Sequence, residues 1–283
     1  MCIKLRESLV GLVLMIGALQ GHAATVAHIE IESSENGESK GTQTQIVTID
    51  EKKVRLDYLG AESEKTANTP YLLTLNAGKK WILGDQRDGQ FYCAKVDMKD
   101  FFRDIGKIVS RIDTLARPKF SDMKVELLVE EPGPDILGYA TTHLRIQTTA
   151  KVKASVLMKK FEYGMNKVDD IWYTKEREVH PAKQRWIEAL THSGYEQLDQ
   201  LSSGLRSKIG GPILIHNSAM ETTNYKENKV ETYGRKVRVV SIKELKSSEV
   251  AEGTFTKPDC KEINKGQTKD AAKSMFKEGK LTL

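Results

Sequence analysis

The sequence predicts an α+β fold, an antiparallel β-sheet covered by amphipathic helices. Three observations predict it. From Ala24 to Val96 short apolar-alternating runs recur with turn residues between them, at spacings of roughly 8–12 residues, the pattern of an antiparallel meander. At Met98 the apolar period changes to three and four, the helical period. Beyond Pro118 the strand pattern returns, is interrupted by a second helical stretch from Pro181, and resumes at Ile213.

The first strand is Val26–Ile31, ended by the polar turn Ser33–Lys40. Thr42–Asp50 follows, with Val47 and Ile49 alternating against polar neighbours. Glu51 and Lys52 turn the chain into Val54–Tyr58. A polar loop, Gly60–Asn68, precedes Tyr71–Leu75. Ala77-Gly78 makes a tight turn into Trp81–Leu83, and Asp88-Gly89 another before Phe91–Val96.

Met98, Phe101, Phe102, Ile105, Ile108, Val109, Ile112 and Leu115 then form one apolar stripe. They predict an amphipathic helix stopped by Pro118. Its apolar face must lie on something. Two readings stay open: ordinary packing on the sheet, or a face that also lines a cavity for an apolar ligand. On the second reading Phe101, Phe102, Ile105, Ile108, Val109 and Ile112 are the cavity residues.

Strands resume with Met123–Val129, the turn Glu131–Pro134 and Ile136–Tyr139. Thr141–Thr149 alternates, with Leu144 and Ile146 on one face and His143 and Arg145 on the other. His143 and Arg145 are either a plain polar outer face or a head-group contact at a cavity mouth. Val152–Tyr163 and Ile171–Thr174 read as two further strands. Pro181 opens a helical stretch to about Leu205, which Gly194 divides. Ile213–Asn224 and Glu231–Leu245 flank a charged hairpin turn at Lys226–Lys229. Lys257–Leu283 is Lys-rich and polar, with a short helix around Ala271–Phe276. It reads as a peripheral tail.

The chain of 283 residues begins as an export signal does. Lys4 and Arg6 form a basic region, Leu9–Leu19 an uncharged apolar run, and Gly21-His22-Ala23 a small-residue cleavage site. The apolar run reaches about 16 Å as a helix, half of a bilayer core of about 30 Å. Cleavage after Ala23 is expected, with the product periplasmic or secreted. No later segment reads as a transmembrane anchor, and no Cys stands at the cleavage point to take a lipid. The expected organisation is 1–23 signal peptide, 24–256 one folded domain and 257–283 tail.

Net charge is +5, and removing Lys4, Arg6 and Glu7 with the leader leaves +4. Charges of both signs are interspersed, which argues against a nucleic-acid partner. Cys93 and Cys260 outlast the leader. In an oxidising compartment they pair, closing a loop worth about 4–5 kcal/mol in chain entropy, or they stay separate thiols.

The element order, with Ile49-Asp50 and Lys53–Asp57 in the meander and then Lys80–Leu83, resembles the LolA/LolB-like superfamily. More narrowly it is similar to exported DUF4412-type proteins. Ile136–His143 and Asp170–Thr174 extend the likeness through the second half, so that it covers roughly Val26 to Leu245. Such relatives often carry Cys where this chain has Ala140, so no disulfide is carried over from them. The resemblance implies an open, curved antiparallel half-barrel around helices. In the LolA and LolB members the concavity holds lipoprotein acyl chains.

No catalytic motif is present. None of the six histidines stands at zinc-ligand spacing with a Cys or with another His. No Gly-x-Ser-x-Gly elbow and no phosphate-binding Gly-rich loop occurs. Glu130-Glu131 and Asp169-Asp170 are adjacent acids of the solvated kind. Trp81, Trp172 and Trp186 suit cores more than ligands. The expectation is a non-enzyme without metal or cofactor: a periplasmic carrier of a lipidic or other apolar ligand. The alternative is a structural or protein-interaction module of the cell envelope, with an envelope protein as partner.

Overall fold

The computed structural model describes residues 17–18, 23–59, 70–87, 90–104, 106–107, 119–156, 159–192, 194, 196, 199–200, 203–204, 207–257 and 259–263. Its strands are β1 (Gly17–Ala18), β2 (Ala23–Glu35), β3 (Glu38–Asp50), β4 (Lys53–Leu59), β5 (Tyr71–Thr74), β6 (Trp81–Arg87) and β7 (Gln90–Val96). They continue with β8 (Lys119–Pro132), β9 (Thr142–Val156), β10 (Lys159–Tyr173), β11 (Glu178–Val179), β12 (Ile213–Asn224), β13 (Lys229–Lys246) and β14 (Lys261–Glu262). Helical turns occupy residues 98–104 (α1), and a helix spans Pro181–Leu190 (α2).

Twelve strands form one sheet in the order β14-β7-β6-β5-β4-β3-β2-β13-β12-β10-β9-β8. Its neighbours are antiparallel except at one edge, where β14 runs parallel to β7. The sheet is open, with β14 and β8 as its edges. β1 and β11 form a separate two-stranded pair. The expected α+β class is therefore corrected: the protein is mainly β, 62% strand against 13% helix, and not a sheet with covering helices in equal measure.

The physical reason lies in the long strands. The predicted strand Val152–Tyr163 is the end of β9 and the start of β10, which pair from Lys159↔Val156 to Tyr173↔Thr142. No Gly, Pro, Asn or Asp stands between Val152 and Tyr163 to mark the turn that divides them. At the end of β12, where Glu221–Asn224 is polar on both faces, backbone pairing with β10 and β13 holds the residues as strand. Elsewhere the hairpins fall where the turn residues stand. The β3–β4 turn places Glu51 at φ 50°, and the β5–β6 turn places Ala77 at 55° and Gly78 at 82°.

One face of the sheet carries the main core. Leu56, Val47, Ile29, Val239, Ile213, Ile171 and Leu144 line it, and Trp81 and Trp186 are its largest buried side chains. Trp186 of α2 meets Trp81 edge-on, with ring centroids 5.5 Å apart. Phe102 of α1 meets Trp186 edge-on at 6.0 Å. Such aromatic pairs add about 0.5–1.5 kcal/mol beyond the area they bury.

His180 caps α2. Its Nδ1 accepts from the Ala182 N–H at 3.1 Å, and its Nε2–H donates to the Glu51 carbonyl at 2.7 Å. One imidazole therefore ends the helix and ties it to the β3–β4 turn. Burial holds its pKa below the ordinary histidine value against the opposing Glu51 hydrogen bond.

The opposite face has its own small cluster at β5–β7. Tyr71, Leu73 and Phe91 pack with Ile82, Phe255 and Cys260. The Arg55 guanidinium lies over the Tyr71 ring at 4.8 Å and pairs with buried Asp57 at 2.7 Å. It also donates to the Thr254 carbonyl at 3.1 Å. The chain after β13 is thus strapped across this face, and the strap is closed by a disulfide. Cys93 and Cys260 are bonded, with Cα atoms 5.7 Å apart. Residues 264–283, including the helix expected at 271–276, lie outside the described residues, as do the loop at 60–69 and residues 108–118.

Candidate functional site

The stripe expected to line a ligand cavity divides in two. Phe102 is buried and packed against Trp186, and Phe101 is half-buried against Phe102 with ring centroids 5.4 Å apart. Phe102 is thus a core residue. Ile105, Ile108, Val109 and Ile112 lie outside the described residues.

His143 and Arg145 stand on the outer face of β9, back to back with Leu144 and Ile146. Pairing with β10 and β8 brings them to Asp170 and Glu131. Arg145 grips Asp170 through two bonds, Nε to Oδ1 at 2.8 Å and Nη2 to Oδ2 at 3.1 Å. The His143 ring lies between Glu131 at 3.1 Å and Asp170 at 2.9 Å, and it stacks on Trp172 at 4.5 Å. Burial pushes the Asp170 pKa up, but hydrogen bonds from Arg145 and His143 outweigh it and hold the carboxyl below its ordinary value. Strand alternation places His143 with Arg145 on one face but does not indicate Asp170, which joins them. The constellation is a cross-strand ion-pair row, the sheet counterpart of a helix i,i+4 pair.

A second polar group faces the core. The Asp169 Oδ1 accepts from His216 Nε2 at 2.7 Å and from Lys167 Nζ at 3.0 Å. Asp169 is fully buried. Burial raises its pKa, yet His216 and Lys167 prevail and bring it to about 2. Across β13 and β2 on the same sheet face, Gln45 is fully buried with neither amide atom partnered, and the Gln43 Oε1 and Asp169 Oδ2 also lack partners. A buried polar atom left unmade costs about 1–3 kcal/mol. These groups are enclosed, so a ligand reaches them only if their cover moves.

Room for a ligand lies elsewhere. A groove of about 1230 Å³ is lined by β11, α2 and the described residues Gly194, Glu196, Asp199, Gln200, Ser203, Ser207 and Gly210. It opens to solvent. Among the described residues its lining includes the acids Glu178, Glu188, Glu196 and Asp199 and the cations Lys175 and Arg177. α2 supplies Gln184, Ile187 and Glu188 at helical spacing, the face turned from Trp186. The helix ends at Thr191, whose N–H returns to the Ile187 carbonyl. His192 follows and donates from Nδ1 to the Glu188 carbonyl at 2.8 Å. Arg177 forms part of the wall. Its side chain is buried, stacked on the Tyr139 ring at 4.5 Å and paired with Glu244 at 2.6 Å, while its Nε has no acceptor.

The sequence reading missed this groove. The signal for it was the polar face of the stretch from Pro181, where Gln184, Glu188 and His192 recur every four residues.

Among the described residues no three His, Cys, Asp or Glu side chains are grouped to hold a metal ion. No described helix is long and apolar enough to cross a membrane. No family model matches the chain, and no curated protein matches it in sequence.

Proposed function

We propose that this is an exported, non-enzymatic interaction module of the cell envelope that recognises its partner through the β11–α2 groove. One observation carries the reading: the solvent-open groove whose described lining is mostly polar and charged, beside a core in which Phe102, Trp186 and Trp81 pack edge to face. Export rests on the leader-like first 23 residues and agrees with the Cys93–Cys260 bond, which belongs to oxidising compartments. A solvent-open mixed-charge groove suits a polar or peptidic partner better than an acyl chain.

The carrier reading has one observation of its own. Gln43, Gln45 and Asp169 present unpartnered atoms on a face otherwise lined by Ile29, Ile31 and Val237. An amphiphile that opened the core would find hydrogen bonds there.

One experiment separates the two. The mature protein is taken from the periplasm with a photoreactive residue at position 188 and measured by native mass spectrometry. The module reading expects no lipid mass, and a cross-link to one identified protein that disappears when Glu196 is reversed to Lys. A bound lipid mass that leaves on organic extraction would overturn it in favour of the carrier.

A further inference from the structure

Leu137 is the residue that folding physics explains least. The β8–β9 connection closes on a two-residue turn, in which Ile136 and Tyr139 exchange both backbone hydrogen bonds at 3.0 Å. Its central residues are Leu137 at φ 54° and Gly138 at φ 80°. Both lie in the left-handed region, so the turn is type I′. The first of those positions favours Asn, Asp or Gly, and a branched apolar side chain there is strained. Leu137 gains no burial in return. It is 42% exposed and belongs to neither apolar cluster, while Ile136 and Tyr139 on either side pack against the main core.

The turn is fastened at its base. The Thr141 hydroxyl donates to the Pro134 carbonyl at 2.7 Å, and the Gly133 N–H donates to the Thr141 carbonyl at 2.9 Å. The Ala140 N–H donates to the Glu176 carboxylate at 3.1 Å, and Arg177 stacks on the Tyr139 ring. An apolar side chain on so rigid a mount loses little freedom when it docks. Strain kept at an exposed position points to function rather than to stability.

Charge says what it docks into. Asp135, just before the turn, and Glu176, bonded to Ala140 just after it, are both exposed. Among the described residues neither is in an ion pair. The cations nearest in sequence to Glu176 are engaged elsewhere: Arg177 is buried and paired with Glu244, and Lys175 lies over the Tyr173 ring. The tip is therefore an apolar knob with a negative rim. Anionic lipid headgroups repel it, and so does the same tip of a second copy. From this juxtaposition we infer that the β8–β9 turn is a docking knob: Leu137 enters an apolar pocket of a partner protein, and Lys or Arg side chains rim that pocket and face Asp135 and Glu176. The inference goes beyond the groove reading and shares with it only the expectation of a protein partner.

The test places a photoreactive residue at position 140 of the full chain and maps the adduct formed in the periplasm by peptide mass spectrometry. The expected adduct joins an envelope protein beside a pocket of this chemistry. With that protein purified, Leu137→Asn should weaken binding about tenfold or more, while Leu137→Met, still apolar, should stay within about threefold of the natural protein. Asp135→Lys should weaken binding about threefold or more at low salt, and the difference should shrink as salt rises. Leu137→Asn should at the same time raise the melting temperature by about 2–4 °C, since Asn suits the turn. A lower melting temperature would show that Leu137 serves folding and would overturn the inference. Equal binding by Leu137→Asn, an adduct with a second copy of this chain, no protein adduct, or Leu137-dependent binding to phosphatidylglycerol vesicles would overturn it too. A cross-link from position 140 without one from position 188 leaves the knob standing and removes the groove. A cross-link from position 188 alone does the reverse.

Discussion

Asp169 shows how one carboxylate couples the sheet to pH. It is fully buried, and its charge is held by His216 from β12 and by Lys167 from its own strand. Its pKa of about 2 lies below the unfolded value of 3.8. A carboxyl depressed on folding stabilises the native state above its unfolded pKa, and that stability is lost as pH falls through the folded pKa. The contribution is worth about 2 kcal/mol, and it should disappear between about pH 4 and pH 2. Asp169→Asn removes the charge and leaves Lys167 and His216 without their acceptor. Urea unfolding at pH 7 should show a loss of about 2 kcal/mol or more. Between pH 5 and 2 the variant should lose about 2 kcal/mol less than the natural protein does. Parallel acid curves for the two proteins would show that the burial cost of Asp169 cancels its pairing. His180 works in the opposite chemical sense, as a base kept neutral by burial, and it too favours folding at neutral rather than acid pH.

The docking of α2 on the sheet is decided by a turn rather than by the helix. Gly78 sits at φ 82°, and a Cβ built there would lie 2.8 Å from the Ala182 Cα and 2.9 Å from its carbonyl oxygen. Both are backbone atoms and cannot swing aside. Gly37 has nearly the same φ, 81°, but open space around it. Gly37→Ala should therefore cost about 1 kcal/mol, the conformational cost alone. Gly78→Ala should cost about 3 kcal/mol, because overpacking adds to it. Denaturant midpoints of the two variants measure the difference, and equal losses would mean that α2 shifts without resistance. The Ala77-Gly78 turn was legible in the sequence, as were β3, β4, β7, β12 and β13, because alternation and turn chemistry agree there. The β9–β10 hairpin was not, since apolar alternation runs on either side of it and no Gly, Pro, Asn or Asp from Val152 to Tyr163 marks the turn. The site was less legible still. His143 and Arg145 could be placed on one face, but their joining to Asp170 depends on register, which sequence spacing does not give. The groove depends on β11, a strand of two residues with no pattern at all.

At the scale of the molecule the open sheet leaves two unlike edges. β8 carries register breaks at Ser121/Lys124 and Leu127/Val129 and an inserted Asp122 at φ 55°. Bulges of this kind interrupt the row of unpaired groups that would recruit a foreign strand. The other edge has no such device along β7 and is covered instead. The Ile263 N–H donates to the Cys93 carbonyl at 2.9 Å, β14 pairs at Lys261 and Glu262, and Cys260 is bonded to Cys93 just before it. A two-residue strand holds little by itself, so the disulfide keeps it in place. The bond spans 167 positions, and a loop of that length corresponds to about 5 kcal/mol of chain entropy. Reduction, or Cys260→Ser, should lower unfolding stability by about 2–5 kcal/mol. It should also free the edge before the molecule unfolds. Hydrogen exchange at Ile263 should then rise by orders of magnitude while the amides of β2 and β13, in the sheet centre, change only with global stability. Exchange that rises equally at edge and centre would mean that the bond acts through the unfolded chain alone. A rise confined to the edge, with self-association of the reduced protein, would identify the disulfide as the guard of β7.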